Sequence, residues 1–404
     1  FLGPYKTDGK RDLTKRGLLA NATTKFTPPA TIEACFNSYS DIDRATFKSI
    51  LGPDPDTPLS TSKVQVNETK SYYDFLGSAI IEKGLKNRLD DLEEGAGDSL
   101  QKYLDDAKEK YNVAVQKFMY KPSLSPLEYI KSDLIKRIGR LNLFRPISKH
   151  IRDHFSDPKI IQMLEFPSLL LGAKPSDTPA LYSIMNYADI VLGTWYPSGG
   201  IRSVAKAVYE VARSVGVNFV FDSPIDEILL QGKKVKGVMA TGNSYNGDIV
   251  VANADYHHVE QKMLPKKFRN YSESYWSNRT MSPSALLFYV GLNNKIEIPH
   301  HALFFDTDFN QHAKDIYDHP KWPESPLFYT SCTSKSDPNV APESGETLFI
   351  LIPVATNLID KEETRKKYFD QVISRMELLT KQKIADHIEF YESYGHKNFI
   401  SDFN

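Results

Sequence analysis

Only two cysteines, Cys35 and Cys332, occur among the 404 residues. A disulfide framework and a cysteine-based zinc site are both excluded by that scarcity, and the cell interior is the expected compartment. An excess of charge of either sign is also missing, since 50 Lys and Arg face 51 Asp and Glu. Without a basic excess, a nucleic-acid partner is not expected. No apolar run approaches the roughly 18 residues that a spanning helix needs. Repeats and low-complexity tracts are absent as well. What is present is ordinary globular composition, 41% hydrophobic and 25% charged, at a length that suggests two domains or one large α/β unit with insertions. Aromatics reach 12%, with 22 Tyr and 22 Phe. They suit either a well-filled core or a long apolar tunnel lined with rings. The chain begins at Phe1 rather than Met, so a processed or partial chain is expected.

Residues 1–88 carry no assignable pattern. Gly52 to Pro58 holds three prolines, and Leu59 to Lys70 is polar, as in a loop or linker. From 89 to 196 the pattern is helical. Ser99 to Lys117 places Leu100, Tyr103, Leu104, Ala107, Tyr111 and Ala114 on one face. A second helix is expected over Leu127 to Leu141. Ile160 to Leu171 is apolar nearly all round, with a break expected at Pro167. Over 197–260 a Gly199-Gly200 pair precedes a helix, Ile201 to Val215. Strands are expected at Asn218 to Phe221, Ile225 to Leu230, Val235 to Thr241 and Ile249 to Ala252, with a turn at Gly242 to Gly247. Over 261–404 four further strands begin near Ala285, Ala302, Leu327 and Thr347, and helices cover Lys361 to Leu379 and Lys381 to Ile388. This is an α/β (α+β) architecture, with a mixed sheet roofed by helices.

Several patterns imitate chemistry. Gly95-Ala96-Gly97 is followed by Leu100 where a third glycine would stand, and an acidic segment precedes it instead of a strand. It is not a dinucleotide fingerprint. His257-His258 and His300-His301 are adjacent pairs. Neighbouring side chains diverge, so no metal site is expected. Two segments are more specific. Leu192 to Gly200 joins an aromatic pair, a proline and two glycines to a helix start, which suits backbone approach to a planar ligand. Asp248 to Pro265 ends an apolar run in Asn253-Ala254-Asp255, which suits a cofactor contact or a helix cap.

Together these segments carry a resemblance. Tyr120 to Ser125 (YKPSLS), Leu164 to Ala173 (LEFPSLLLGA), Thr178 to Asp189 (TPALYSIMNYAD) and Gly193 to Gly200 (GTWYPSGG) are joined by four more stretches. Those are Val250 to His258 (VVANADYHH), Leu286 to Leu292 (LLFYVGL), His300 to Asp306 (HHALFFD) and Asp337 to Glu343 (DPNVAPE). From about residue 90 to 404 the chain resembles the CrtI-type phytoene desaturases, the flavin-dependent carotenoid desaturase family. The resemblance implies a partial FAD/NAD(P)-binding flavoprotein fold with a helix-covered substrate domain, and makes 197–260 a remnant of the FAD-binding domain. It implies FAD as cofactor, a C40 polyene as substrate, and removal of a hydride and a proton from adjacent carbons. The strand–GxGxxG–helix opening and the closing flavin-contacting segment of that family are not found in this sequence. A fragment or chimera, part of a longer enzyme, and a relative that has lost flavin all stay open. So do a related flavin-dependent isomerase or oxidase, and a non-catalytic polyene- or partner-binding chain.

The resemblance also places residues. Pro197, Gly199, Gly200, Ile225, Asn253, Ala254 and Asp255 are expected to contact FAD, Ile225 through its backbone to the adenine. Phe166, Leu169, Leu170, Leu171, Tyr182, Tyr187, Trp195, Phe288 and Tyr289 are wall candidates for the polyene. Asp157, Glu165 and Arg152 are the ionisable candidates near that wall. A carboxylate inside the apolar run, Glu165, is expected to have a raised pKa. Asp157 fits a helix cap as well as a proton relay. A water-insoluble substrate implies a membrane surface. Leu127 to Ile151 mixes Lys and Arg with Leu, Ile and Phe, as a surface-docking helix would. The expected location is cytoplasmic and peripherally membrane-associated.

Overall fold

A computed structural model describes residues 79–115, 144–194, 196, 197, 199–279 and 281–403. Residues 1–78, the segment 116–143, Trp195, Ser198, Thr280 and Asn404 lie outside that set, as do the side chains of residues 79–84, Leu169 and Leu170. The expectations placed on them, including most of the surface-docking helix, are therefore outside the described residues.

The helices are α1 (Ala79–Asp90), α2 (Ala96–Val113), α3 (Ile147–Arg152), α4 (Pro158–Leu170) and α5 (Ile201–Ser214). The strands β1 (Ile225–Gln231), β2 (Lys234–Ala240) and β3 (Asn243–Asn246) follow. Then come β4 (Ser284–Leu292), β5 (His301–Phe304), α6 (Phe309–Tyr317), β6 (Phe328–Ser331), β7 (Glu346–Val354), α7 (Glu362–Thr380), β8 (Ile388–Tyr394) and α8 (His396–Phe403). The described residues fall into two compact units. One holds Pro197–Met281 and 399–403, the other 79–196 and Ser282–Asn398.

The larger unit has two apolar cores. In the first, α2 packs Leu100, Tyr103 and Leu104 against Ile147, Ile151, Phe155, Ile160 and Leu164, and Ala107 is buried on the same face of the helix at three- and four-residue spacing. The break expected at Pro167 is absent, and α4 runs through it to Leu170. The helix ends three residues after Pro167, within one turn of it.

The second core belongs to a five-stranded sheet of order β5-β6-β7-β4-β8. Expected to be mixed, it is antiparallel at each of its four ladders. Alternation along β4 and β7 sends Leu286, Phe288, Val290, Leu348, Ile350 and Ile352 to one face. There they pack on Tyr368, Phe369, Val372, Ile373 and Met376 of α7. The helix expected over Lys381 to Ile388 is a single 3-10 turn, Ala385–His387, and the chain then adds the edge strand β8. Lys381 has φ 57°, a left-handed end to α7 that no helix continues through.

In the smaller unit β1, β2 and β3 form an antiparallel meander. Its third strand is not Ile249 to Ala252 but Asn243–Asn246, inside the stretch expected as a turn. Thr241 (φ 49°) and Gly242 (φ 80°) are both left-handed, and Ala240 pairs Asn243 directly. Two consecutive left-handed residues close the hairpin at once, so the return strand begins early. Gly237 permits the close approach of β3, since a Cβ there would lie 1.9 Å from the Tyr245 carbonyl oxygen. Asn218 to Phe221 also forms no strand. Phe219 and Phe221 instead stack on each other, with Tyr209 of α5 against both.

Candidate functional site

The face of the large sheet away from α7 is the candidate site. Cross-strand pairing sets two rows on it. One row runs His301, Ser331, Phe349 and Tyr289 through the pairs His301↔Ser331, Ser331↔Phe349 and Phe349↔Tyr289. The next runs Leu303, Tyr329, Leu351 and Leu287. The Tyr289 and Phe349 rings lie 5.3 Å apart and the Tyr329 and Phe349 rings 6.4 Å apart. Tyr289 is 48% exposed. Over the β4–β8 ladder the Phe390 ring covers Gly291, where a Cβ would meet it at 2.4 Å. The result is a half-open apolar and aromatic surface.

Three stretches distant in sequence converge on the β5 edge of this sheet. The Tyr196 ring lies 4.8 Å from that of His300. His300 Nδ1 is 2.7 Å from the Ser336 hydroxyl, and the His301 and Tyr329 side chains meet at 2.5 Å. Burial, aided by the neighbouring His301, pushes His300 down to about 4. Burial lowers His301 as well, against the opposing charge of Asp189. Both rings are therefore neutral near pH 7. Burial raises the Tyr196 and Tyr329 hydroxyls. Beside this edge Glu346 accepts from Lys335 Nζ at 2.5 Å and from Cys332 Sγ at 3.2 Å. Burial pushes the Cys332 thiol up to about 12, which keeps it a thiol. Among the described residues no group of three or more His, Cys, Asp or Glu could hold a metal.

The ionisable candidates lie elsewhere. Glu165 is 2% exposed on α4 and pairs with Arg152 of α3. Burial raises its carboxyl, and Arg152 opposes that. Asp157 takes the cap role, accepting the N–H groups of Lys159 (2.8 Å) and Ile160 (3.3 Å) at the start of α4. The Asp157 N–H in turn donates to Glu93 at 2.7 Å. Arg152→Ala should destabilise the chain by about 1–2 kcal/mol at neutral pH, a value reduced by the exposure of Arg152. A carboxyl with a raised folded pKa withdraws stability as pH rises through that pKa. The loss should therefore shrink as pH falls below about 4, where Glu165 becomes protonated in both states. A denaturant midpoint followed against pH checks this, and a pH-independent loss would contradict it.

Of the wall candidates, Phe166 meets the Phe305 ring at 5.5 Å, and Tyr187 is buried against Tyr111 at 5.4 Å. Tyr182 is exposed. Phe288 points the wrong way for a wall. It is fully buried against Phe369 (5.2 Å) beneath α7, because strand alternation gives the open face to Tyr289. Among the flavin candidates, Gly199 and Gly200 have φ of 77° and 75° and lead into α5. The α5 N-terminus has no side-chain cap, so its backbone donors suit an anionic group. Pro197 O accepts the Gly200 N–H at 2.8 Å and shapes that turn. Ile225 opens β1 opposite Ala240. Asn253 and Ala254 are exposed, while Asp255 caps the next helix by accepting the His258 N–H at 2.9 Å.

His301 and Tyr329 escape sequence reasoning. A histidine pair reads there only as a poor metal site. Tyr329 lies in a short apolar strand with no marker of its own.

Residues 52–397 match the family described as flavin containing amine oxidoreductase, and the chain belongs to that family. A carotenoid 3,4-desaturase of Haloarcula japonica is 32% identical over 323 residues, covering 79% of this chain and 65% of the relative. A zeta-carotene-forming phytoene desaturase of Myxococcus xanthus is 27% identical, covering 56% of this chain and 44% of the relative. A phytoene desaturase of Cercospora nicotianae is 28% identical over 63% of this chain and 42% of the relative. The chain thus spans between two fifths and two thirds of the length of these relatives. A solved oxidoreductase of Methanosarcina mazei is 16% identical at a TM-score of 0.47, over 67% of this chain and 61% of that one.

Proposed function

We propose that this chain acts in FAD-dependent desaturation of phytoene or a related carotenoid, and that the open sheet face holds the polyene. The observation that carries this reading is the aromatic surface of Tyr289, Phe349, Leu351 and Leu303, which is apolar, extended and left half-open by the fold. Such a surface binds hydrocarbon by removing apolar area from water, about 25 cal/mol per Å². Bound FAD would supply the two-electron chemistry. The Pro197–Gly200 turn and Ile225 would hold one edge of it. Asn253 and Ala254 would lie beside it, with Asp255 setting their conformation as a cap. The relatives named as carotenoid and phytoene desaturases support the substrate class. A membrane surface is the natural source of so insoluble a substrate. Among the described residues no helix is long and apolar enough to cross a membrane.

The test uses purified chain with FAD and phytoene in lipid vesicles. Flavin absorption that survives desalting, with new long-wavelength polyene bands, is the expected result. Tyr289→Glu should reduce product at least about tenfold without moving the unfolding midpoint, because a charge there must be desolvated against the hydrocarbon. An unchanged phytoene spectrum in flavin-loaded protein overturns the reading.

A further inference from the structure

The open sheet face is closed at one end. Phe304 stacks on Phe328 at 4.4 Å, and Asp306 accepts from Arg375 Nε of α7 at 3.0 Å. Both neighbours of Phe305 therefore point to the α7 side. Alternation turns Phe305 to the other face, in line with His301 and Leu303. There its ring meets Phe166 of α4 at 5.5 Å, with Phe309 of α6 behind it at 6.2 Å. Phe309 is buried, whereas Phe166 and Phe305 are half-buried. The turn after α4 is braced on both sides of this end. Gly172, with φ 76°, lies so close to the segment before β4 that a Cβ would stand 3.0 Å from the Ser282 hydroxyl. Lys174 Nζ donates to Asp318, just past α6, at 2.6 Å. The ring pair thus forms a held wall across the end of the face.

Apolar contact is non-directional, so a hydrocarbon lying on rings and leucines is free to slide along them. A wall across its path removes that freedom. The chain end stops at the rings, and distance then decides which carbons lie farther back. Phe305 stands four residues past His301, whose row holds Phe349 and Tyr289. That separation is about 13 Å along the strands.

We propose that Phe305, backed by Phe166, is the stop for the chain end of the polyene. It thereby determines which carbons of the substrate reach the row of Phe349 and Tyr289. This inference rests on the polyene reading above and adds to it the residue that sets the register.

The test is photo-crosslinking of the full chain with FAD in lipid vesicles. Two acyclic C40 polyene probes are used, one with a diazirine at both ends and one with a diazirine at mid-chain. Labelled residues are mapped by mass spectrometry. The end probe should label Phe305 or Phe166 and leave Phe309 unlabelled. Phe305→Ala should let the chain end advance, so that Phe309 becomes labelled. The mid-chain label should move the same way by one row, about 7 Å along the strands. Phe305→Trp should push the mid-chain label in the opposite direction, and it serves where the alanine variant does not fold. A merely structural role for Phe305 would move neither label. An end probe that labels the sheet face but misses Phe305 and Phe166 overturns the proposal and leaves the polyene reading intact. Labels that stay in place in the folded variants do the same. No label on the sheet face from either probe overturns both.

Discussion

Phe288→Ala is expected to lower the unfolding free energy by about 3–5 kcal/mol, the usual loss for a large aromatic removed from a packed core. Phe288 is fully buried. Its ring meets Phe369 at 5.2 Å and Tyr391 at 6.3 Å, and those two rings stack at 3.7 Å. Truncation would open a cavity between the sheet and α7, which the rigid β4 ladders on both sides cannot close. Tyr289→Ala, one residue along, should cost less than about 1 kcal/mol, because half of that side chain is already in water. Urea titration of the two variants checks the contrast. Similar losses would mean that the two sheet faces are assigned the wrong way round.

Asp360→Ala should cost a comparable amount, about 3–5 kcal/mol, by stranding the Arg365 guanidinium in the interior. Asp360 accepts from Arg365 Nε at 2.7 Å and Nη2 at 2.5 Å, and from the Lys397 N–H at 3.1 Å. Arg365 also donates to Asn398 Oδ1 at 2.8 Å. The pair thus ties the first turn of α7 to the segment after β8. Gly395 makes room for it, since a Cβ there would stand 2.8 Å from the Asp360 carboxylate. The Arg365 guanidinium holds the Asp360 carboxyl below the usual carboxylate range. A depressed folded pKa gives stability that is present above the unfolded value, about 4, and is lost as pH falls through the folded one. The deficit of the variant should therefore narrow only in strong acid. Asp360→Ala combined with Arg365→Met should recover most of the loss, because no charge is then left unpaired. A double variant as unstable as the single one would contradict this account. Thermal unfolding of both, followed against pH, supplies the comparison.

Much of the helical framework was legible because its signal is local. The spacing of Leu100, Tyr103, Leu104 and Ala107 marks one face of α2, and that face is buried as read. The strands β4 and β7 were legible for a related reason, as long β-rich runs between turns. β8 was not, because as an edge strand it has only one neighbour and its charged residues hide the alternation. The third strand of the small meander was misplaced, because the left-handed Thr241 is not a residue from which a turn is expected.

The site followed the same division. The segments containing Tyr196, His300 and Asp337 were distinctive one by one. That two of them face each other across 4.8 Å is a property of folding. By itself, then, the sequence determined the α+β class, the main helices, the principal strands and the family, since each depends on composition or on short-range order. Only the tertiary structure decided which sheet face lies under α7 and which stays open. It gave the core to Phe288 and the open face to Tyr289, placed Asp157 at a helix cap, and set Tyr329 against His301. Those outcomes depend on register and on packing between residues far apart in the chain, and no local pattern encodes them.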